Sequence, residues 1–507
     1  MSSRVYSASI FGLDGKLIEI EVDTFVGQPV FTIVGLPDMA VKESKERVSS
    51  AIKNSGFKPP HFFGRITVNL APADLKKEGP YFDFPIALGI LLATKQIDSL
   101  PKNSVFLSEL SLDGRLRDNK GILPIALSLK DHGIKNIFLS EKVAREANLV
   151  EDINVFPINT LKEFTDQLQK KRFKKFAKQI IDLENIPSKS SSSDFCYIKG
   201  QEHAKRALEI SVAGGHNILM SGPPGSGKTM LAKAIPSIMP PLSREEAFEV
   251  TKLYSIAGIT NNKQPLITER PFRSPHHSAS AVALVGGGTF PRPGEISLAN
   301  RGVLFLDEFP EFTRSLIENL RQPLEDGEVS ISRAHGTLLF PAKFMLVAAM
   351  NPCPCGNATD LEKECTCTPN QINNYKKKLS EPILDRIDLQ IEVPRLKFEK
   401  ITQEQLAEKS EATRERIIEA RKNQLKRFKK TNIFTNAEMN NRHLKKFCPI
   451  GEPEKELLRN AIHKMHFSPR TYFRLLKVAR TIADLEGAKN ISVNHLAEAI
   501  QYKFREE

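Results

Sequence analysis

The chain has 507 residues, of which 40% are hydrophobic and 26% are charged, and its formal net charge is +13. This length exceeds what one ordinary hydrophobic core accommodates, so we expect two to four domains. The longest uncharged apolar stretch, residues 86–93, is far too short to cross a membrane, and no secretory signal precedes the early Asp14. We therefore expect a cytoplasmic protein without membrane attachment. The positive net charge favours a polyanionic partner, although lysines dispersed over the surface would give the same net charge.

The first block of the sequence, residues 1–165, combines strand and helix patterns. Apolar and polar residues alternate in two segments, which predicts strands at 17–22 and 65–70. Two other segments have helical spacing, which predicts helices at 40–55 and 84–94. We expect an α+β domain here.

A basic and serine-rich linker is predicted over residues 166–195. Lysines and arginines crowd its beginning, at 170–178, and a second basic run lies at 421–430. Either run is a solvated helix face or a contact for nucleic-acid phosphates.

A glycine-rich loop follows the linker, between a predicted strand at 217–220 and a predicted helix start at 230–235. Such a loop turns its N–H groups inward at the positive end of a helix and cradles phosphates. We expect Lys228 to neutralise the β- and γ-phosphates of a nucleoside triphosphate, and Thr229 to supply a hydroxyl to Mg²⁺. A chance glycine-rich turn is the alternative. The loop consists of Gly222, Pro223, Pro224, Gly225, Ser226, Gly227, Lys228 and Thr229.

Polar residues end two later apolar segments that predict strands. Asp307 and Glu308 follow residues 303–306, and the apolar run 344–349 ends in Met350 and Asn351. Phosphoryl transfer to water requires positioning and charge compensation more than covalent chemistry. We expect Asp307 to hold Mg²⁺, Glu308 to orient or deprotonate the attacking water, and Asn351 to bond the water or the γ-phosphate.

Strand and helix patterns alternate over residues 196–395, which predicts a parallel-sheet α/β domain. Residues 396–507 lack strand patterns, and helical periodicity at 403–428 and 454–485 predicts a helical domain.

Four of the six cysteines occupy one short segment after Asn351. Paired thiols in a cytosolic protein favour a metal over disulfides, and four thiolates make a tetrahedral structural Zn²⁺ site. Reduced or redox-active thiols are the alternative, since the Cys-x-Cys spacing is tighter than the Cys-x-x-Cys spacing of the common zinc knuckle. The four are Cys353, Cys355, Cys365 and Cys367, whereas Cys196 and Cys448 stand alone.

Together these motifs resemble the magnesium-chelatase-like AAA+ ATPases, and within them the ComM/YifB family. The resemblance covers nearly the whole chain and also rests on the segments 270–277, 286–288, 293–299, 351–356 and 384–388. It implies an ATP- and Mg²⁺-dependent ring, a hexamer with each nucleotide at a subunit boundary. Arg386 matches the family's arginine finger, and Arg470 matches its second-sensor arginine, with a solvated helix-start arginine as the alternative for Arg470. Ile198 and Gln201 occupy positions that contact adenine in such proteins.

The resemblance also implies loops that face DNA in a central pore. Residues 328–340 predict a hairpin with Arg333 and His335 near its tip, and such a hairpin points into the pore of related ring helicases. Arg333 would contact phosphate there. A surface hairpin with an incidental arginine is the alternative.

The segment 270–277 is a candidate second pore loop, with Arg270 and Arg273 as candidate DNA contacts. Its His276 and His277 are either metal ligands or, as is more usual for adjacent histidines without partners, makers of ordinary hydrogen bonds.

The N-terminal block resembles the Lon-protease-like (S5-like) domain that this family shares with the recombination protein RadA. In active proteases a serine follows the Gly-Pro pair, whereas Tyr81 stands there in this chain. A phenol with a pKa near ~10 does not replace that nucleophile. The resemblance therefore implies a scaffold or a DNA-guiding collar.

The residues predict an ATPase. The resemblance implies that it is an ATP-driven DNA motor, a ring helicase that drives branch migration of recombination intermediates in natural transformation. Its partners would be single-stranded or branched DNA and recombination proteins. One rival function is a magnesium-chelatase-type subunit that remodels a protein partner. An ATP-dependent protease is disfavoured by Tyr81, and a purely structural nucleotide-binding module is disfavoured by Glu308 and Arg386.

Overall fold

The computed structural model describes residues 2–77, 79–178, 194–288, 291–333, 336–360, 362–396, 407–429, 431, 433–465 and 467–503. The chain divides into two compact units. The first comprises Met1–Asn185 with Arg244–Ile267, and the second comprises Ile186–Ser243 with Thr268–Glu507. No helix in the described ranges is long and apolar enough to span a bilayer.

The first unit is built on a four-stranded mixed sheet. Its strands, in spatial order, are Ser2–Phe11, Asp14–Phe25, Arg65–Ala71 and Val30–Val34. The first three are antiparallel, and the last pairs in parallel with its neighbour. Alternate side chains of the first strand are buried, as expected for a sheet with one face on the core.

A parallel three-stranded sheet, α-helices and short 3₁₀ turns complete much of this unit. The sheet strands are Ser104–Phe106, Asn136–Ser140 and Asn154–Ile158, and a small antiparallel pair is Glu109–Leu110 with Leu116–Arg117. The α-helices are Met39–Asn54, Asp83–Ala93, Ile122–Asp131, Ala144–Ala147, Leu161–Gln169 and Arg244–Ala257. The 3₁₀ turns include Pro60–Phe62, Pro80–Phe82 and Glu141–Val143.

The helix Arg244–Ala257 belongs to this unit although it lies far along the chain. Its apolar residues Ala247, Val250 and Leu253 are fully buried, and it packs on the helix Ile122–Asp131. The predicted block 196–395 includes this helix, because helical periodicity shows which face of a helix is apolar and does not show what covers that face.

The second unit contains a five-stranded parallel sheet. The strands, in spatial order, are Phe272–Arg273, Val303–Leu306, Met345–Met350, Ile218–Ser221 and Leu389–Glu392. The three inner strands are entirely buried. Because the strands are parallel, their carboxyl ends meet at one edge, where α/β sheets bind ligands.

This unit also contains two antiparallel pairs, Gly286–Gly287 with Arg292–Pro293 and Glu328–Arg333 with Gly336–Pro341. Helices around the sheet are Glu202–Gly214, Lys228–Ile238, Ala281–Val285, Glu295–Leu298, Arg314–Asn319, Arg321–Asp326, Pro369–Lys376 and Glu381–Leu384. The later helices are Ser410–Phe428, Asn441–Phe447, Glu452–Met465, Pro469–Leu485 and Val493–Gln501, and the 3₁₀ turns are Phe195–Tyr197, Phe309–Glu311 and Asn436–Glu438.

The helices after Arg395 share one hydrophobic core with the sheet. Ile417 and Ile482 lie in the same buried cluster as Ile218 and Val347. The helical stretch predicted at 454–485 is two helices, because Ser468 caps the N-terminus of the second helix with its side chain and Pro469 opens it.

Candidate nucleotide-binding site

The glycine-rich loop leaves the sheet at Ser221 and enters the helix Lys228–Ile238. A side chain at Gly222 would place its Cβ 2.1 Å from the carbonyl oxygen of Val393 on the neighbouring chain segment, so only glycine fits there. The Gln201 amide donates to Pro394 O at 2.6 Å and reaches Ser226 O at 3.4 Å. The loop is therefore held from both sides and presents its N–H groups at a helix N-terminus.

Lys228 is buried at the base of this loop. Its Nζ donates to the carbonyl oxygens of Gly222 at 2.6 Å and Pro223 at 2.9 Å, and to Asn351 Oδ1 at 3.3 Å. Burial lowers the pKa of Lys228, and the carboxylate of Asp307 partly opposes that shift. An incoming polyphosphate would favour the charged form of the amine in the same way.

Strand register brings the acidic pair and the asparagine to this loop. Ser221 lies opposite Met350, and Leu306 lies opposite Ala348. The residues that follow these strand ends are therefore neighbours. Thr229 Oγ1 donates to Asp307 Oδ2 at 2.7 Å, which joins the helix start to the acidic strand end. A hydroxyl and a carboxylate are hard oxygen donors of the kind that Mg²⁺ prefers, so the pair fits this ion.

Glu308 extends from the same edge with a left-handed backbone, φ 51°. Its N–H donates to Asp307 Oδ1 at 3.0 Å, and its side chain is 58% exposed. Its Oε2 lies 3.4 Å from Nδ1 of His277. The sequence does not predict this contact, because His277 and Glu308 belong to loops that meet only when the strands Phe272–Arg273 and Val303–Leu306 pair.

The two arginines predicted to act on nucleotide both influence the carboxylate of Glu325. Arg386 is buried and donates to Pro382 O at 2.6 Å and to the carboxylate of Glu325. Arg470 is the second residue of the helix Pro469–Leu485 and is exposed. The hydrogen bond from Arg386 lowers the pKa of Glu325, and the charge of Arg470 adds to this effect. Ile198 is buried, and its N–H bonds Phe195 O at 3.0 Å.

Arg270 and Arg273, our candidate DNA contacts in the segment 270–277, are engaged with protein groups. Arg270 donates to three carbonyl oxygens, at distances of 2.7 to 3.2 Å. Arg273 forms a two-pronged pair with the carboxylate of Glu295, with both N–O distances 2.6 Å. Their DNA contacts stay a prediction.

The hairpin predicted at 328–340 forms from the strands Glu328–Arg333 and Gly336–Pro341, which pair from Glu328 opposite Pro341 to Arg333 opposite Gly336. His335 and the side chain of Arg333 lie outside the described part of the chain. Their contacts with DNA stay a prediction.

The four clustered cysteines come together in the structure. Their Sγ atoms all lie within 4.8 Å of one another, and all are free thiols. Cys353 is buried and Cys365 is exposed. The donor set fits a tetrahedral thiolate-bound Zn²⁺.

In the first unit, Tyr81 donates its hydroxyl to Lys120 O at 3.2 Å. The neighbouring Asp83 is fully buried and accepts from Arg47 Nε at 2.6 Å and from Leu110 N at 3.2 Å. Burial raises the pKa of Asp83, and the bond from Arg47 opposes that rise. These contacts join two helices and a strand, which is a structural role.

Three family descriptions match successive parts of the chain: "Subunit ChlI of Mg-chelatase" matches residues 20–143, "Magnesium chelatase, subunit ChlI" residues 194–401, and "Magnesium chelatase, subunit ChlI C-terminal" residues 407–503. Competence protein ComM of Haemophilus influenzae is 44% identical over 98% of this chain and 97% of its own length. The chain belongs to the magnesium-chelatase family, in the group that includes ComM and YifB.

Other members of the family are similar over different lengths. YifB of Salmonella typhimurium, an uncharacterized protein, is 41% identical over 98% of this chain and 96% of its own length. The magnesium-chelatase subunit ChlI of Euglena gracilis is 25% identical over 45% of this chain and 71% of its own length. Membership of this AAA+ family implies ATP as the nucleotide and Mg²⁺ as its metal, in agreement with the phosphate loop described above.

Proposed function

We propose that the protein hydrolyses ATP at the site around Lys228 and uses the reaction to drive branch migration of DNA. The observation that carries the ATPase is the meeting of a buried lysine, a hydroxyl–carboxylate pair and an asparagine at adjacent ends of parallel strands. Phosphoryl transfer requires this combination of charge compensation and positioning.

Each residue of the site has a distinct role in this proposal. Lys228 exchanges its carbonyl partners for phosphate oxygens, and its charge is stabilised there. Thr229 and Asp307 hold Mg²⁺, which when bound neutralises charge on the phosphates. Asn351 orients the attacking water, and Glu308 Oε2 accepts a proton from it.

We further propose that the subunits form a ring, a hexamer, in which Arg386 reaches the γ-phosphate bound by its neighbour. In the single chain Arg386 is paired with Glu325, a carboxylate that is 55% exposed. Ring assembly would exchange this partner for phosphate, and a guanidinium suits both because it pairs with either group through two N–H donors. Arg470 would contact the nucleotide of its own subunit.

DNA is the proposed track because the chain carries a net charge of +13 and presents the hairpin Glu328–Arg333 with Gly336–Pro341. Contacts from Arg333 and His335 at its tip would bind backbone phosphates without reading sequence. The name of the relative ComM connects that protein with competence. We extend this to natural transformation, where incoming strands are joined to a chromosome and recombination proteins act on the same DNA.

The matches to ChlI support a second candidate, an ATP-driven subunit that remodels a protein partner. The two candidates differ in what stimulates turnover. We therefore propose measuring ATP hydrolysis by the full chain with a four-way DNA junction, with linear duplex and with no DNA, for the parent and for Glu308→Gln.

A rise in turnover with the junction, absent in Glu308→Gln although that variant still binds ATP, supports the DNA motor. If the rate of ATP hydrolysis is the same with and without DNA at every salt concentration, the DNA motor is contradicted and the remodelling subunit is favoured. Hydrolysis by Glu308→Gln at the parent rate would remove Glu308 from the base role. Binding to the junction should weaken as salt rises, because phosphate neutralisation releases counterions.

A further inference from the structure

The four cysteine sulfurs have the spacing of a metal site. The Sγ of Cys353 lies 3.4 Å from that of Cys355 and 3.7 Å from that of Cys365, and the last two are 3.6 Å apart. Four thiolates at Zn–S bonds of about 2.3 Å stand about 3.8 Å from one another in a tetrahedron. The N–H of Cys355 also points at Cys367 Sγ, at 3.4 Å, as outer hydrogen bonds to metal-bound thiolates do.

The segment that carries these thiols packs against the phosphate loop. Gly356 has φ 84°, and a Cβ there would lie 2.5 Å from Cδ of Pro224. Its backbone is therefore in close contact with that proline. Cys353 is buried two residues after Asn351, which bonds Lys228.

Arg395 forms a second connection between the cysteine segment and the loop. Its Nη2 lies 3.4 Å from Pro224 O and 3.6 Å from Oδ2 of Asp360, whose side chain is 1% exposed. Two independent contacts, one steric and one polar, thus join residues 353–360 to Pro224.

Little else in this segment would hold it in place. The described residues between Met350 and Pro369 form no helix or strand. An irregular segment of this length pays a large entropy cost to adopt one conformation, and a bound metal supplies the restraint that secondary structure supplies elsewhere.

We propose that Cys353, Cys355, Cys365 and Cys367 bind one Zn²⁺, and that the metal holds residues 353–360 against Pro224 so that ATP affinity depends on bound zinc. The second half of the proposal rests on the nucleotide site proposed above. Zinc binding itself does not.

The test uses the full chain purified reduced and without chelator. Metal analysis should find one zinc per chain, and replacement by Co²⁺ should give the thiolate-to-cobalt absorption of a tetrahedral site. Cys365→Ser should lose the metal and raise the Kd for a non-hydrolysable fluorescent ATP analogue by about tenfold, the scale of one lost loop restraint. Cys196→Ser removes a buried thiol outside the cluster and is the matched control. It should keep the bound zinc and the parent's Kd for the analogue.

Two measurements keep the result independent of misfolding. Treating the parent with a zinc-selective chelator in excess Mg²⁺ should weaken analogue binding, and adding Zn²⁺ should restore it. Gly356→Ala keeps all four thiols and displaces Pro224, so it should retain zinc and still bind the analogue more weakly.

The outcomes separate the two proposals. A parent chain without zinc, or zinc removal that leaves the Kd unchanged, overturns the metal clamp while the nucleotide site stands. Zinc bound at one per chain with no binding of ATP analogue overturns the nucleotide site and the coupling, and leaves the metal site.

Discussion

The buried pair of Asp388 and Arg474 provides a quantitative test of how the second unit is held together. The Asp388 side chain is 3% exposed, and its carboxylate accepts from Arg474 and from Asn217 N at 3.1 Å. Burial alone would raise the pKa of Asp388, but Arg474 and His216 outweigh burial and hold that pKa well below its usual range. Arg474 also donates to Arg386 O at 3.1 Å, so the pair supports the proposed arginine finger.

Arg474→Met removes the charge and keeps most of the side-chain volume. Removing one partner of a buried ion pair leaves an uncompensated charge, which costs about 3–5 kcal/mol. We expect the free energy of unfolding of the second unit to fall by about this amount at pH 7. Arg459→Met, a change at an exposed arginine of the helix Glu452–Met465, should cost less than about 0.5 kcal/mol.

The pH dependence has a definite sign. In the parent, the depressed pKa of Asp388 contributes stability above the unfolded pKa of about 3.9, and the contribution is lost only as pH falls through the lower folded pKa. In Arg474→Met the buried carboxyl of Asp388 takes up a proton at a higher pH than in the parent, and protonation removes the cost of burying an unpaired charge. The difference in free energy of unfolding between the parent and Arg474→Met should therefore become smaller as the pH is lowered from 7 to 5.

Urea unfolding of the full chain at both pH values measures these differences, and Asp388→Asn added to Arg474→Met should recover part of the loss. If Arg474→Met lowers the free energy of unfolding at pH 7 by less than about 1 kcal/mol, the reasoning from burial and pairing is refuted.

Three other predictions test separate parts of the account. Burial lowers the pKa of His216, so the folded state does not bind a proton that the unfolded chain takes up below pH ~6.5. The thermal unfolding midpoint of the parent should therefore decrease when the pH is lowered from 7.5 to 5.5, and the midpoint of His216→Gln should decrease less. Glu146→Leu should destabilise the first unit by about 1–3 kcal/mol in urea, and Glu146→Gln by less, because Leu123 N at 2.8 Å and the Ser255 hydroxyl lose their acceptor. Arg386→Ala should bind ATP and lose about 10³-fold or more in turnover, and mixing it with Lys228→Ala subunits should restore activity only if neighbours share sites.

The first prediction is contradicted if the thermal midpoint of the parent does not change with pH. The second is contradicted if both Glu146 variants lose the same free energy of unfolding. The third is contradicted if the mixed subunits hydrolyse ATP no faster than either variant alone.

The sequence indicated the elements of the nucleotide site because their signals are local. The helix predicted at 40–55 is observed as Met39–Asn54, with Asp38 accepting from Val41 N as an N-cap. The strand, glycine loop and helix around Lys228 are adjacent in the chain, so spacing alone predicted their order. The roles of the individual residues stay predictions.

The contacts between distant segments could not be predicted in the same way. Glu146 accepts hydrogen bonds from Ser255 and Thr260, which lie more than 100 residues away. Gly356 meets Pro224 only because two strand ends are neighbours in the sheet. Periodicity shows that a face is apolar, and strand order and register decide what it contacts.

Arg270 illustrates a second limit. Its place in a Pro- and His-rich segment made it a candidate DNA contact, whereas its guanidinium donates to the carbonyl oxygens of Pro240, Pro241 and Arg301. An arginine in a loop has the same pattern in the sequence whether it binds a partner or donates to backbone carbonyl groups of its own chain. The DNA contact of Arg270 stays a prediction.

The central claim, that ATP hydrolysis at the Lys228 site moves DNA strands, is tested most directly by branch migration of synthetic three- and four-way junctions. With ATP, the parent should convert the junctions to separated duplex products, and Glu308→Gln should bind the same junctions without converting them. Conversion without ATP, or equal conversion by Glu308→Gln, would contradict the account, as would a parent that hydrolyses ATP and leaves every junction intact.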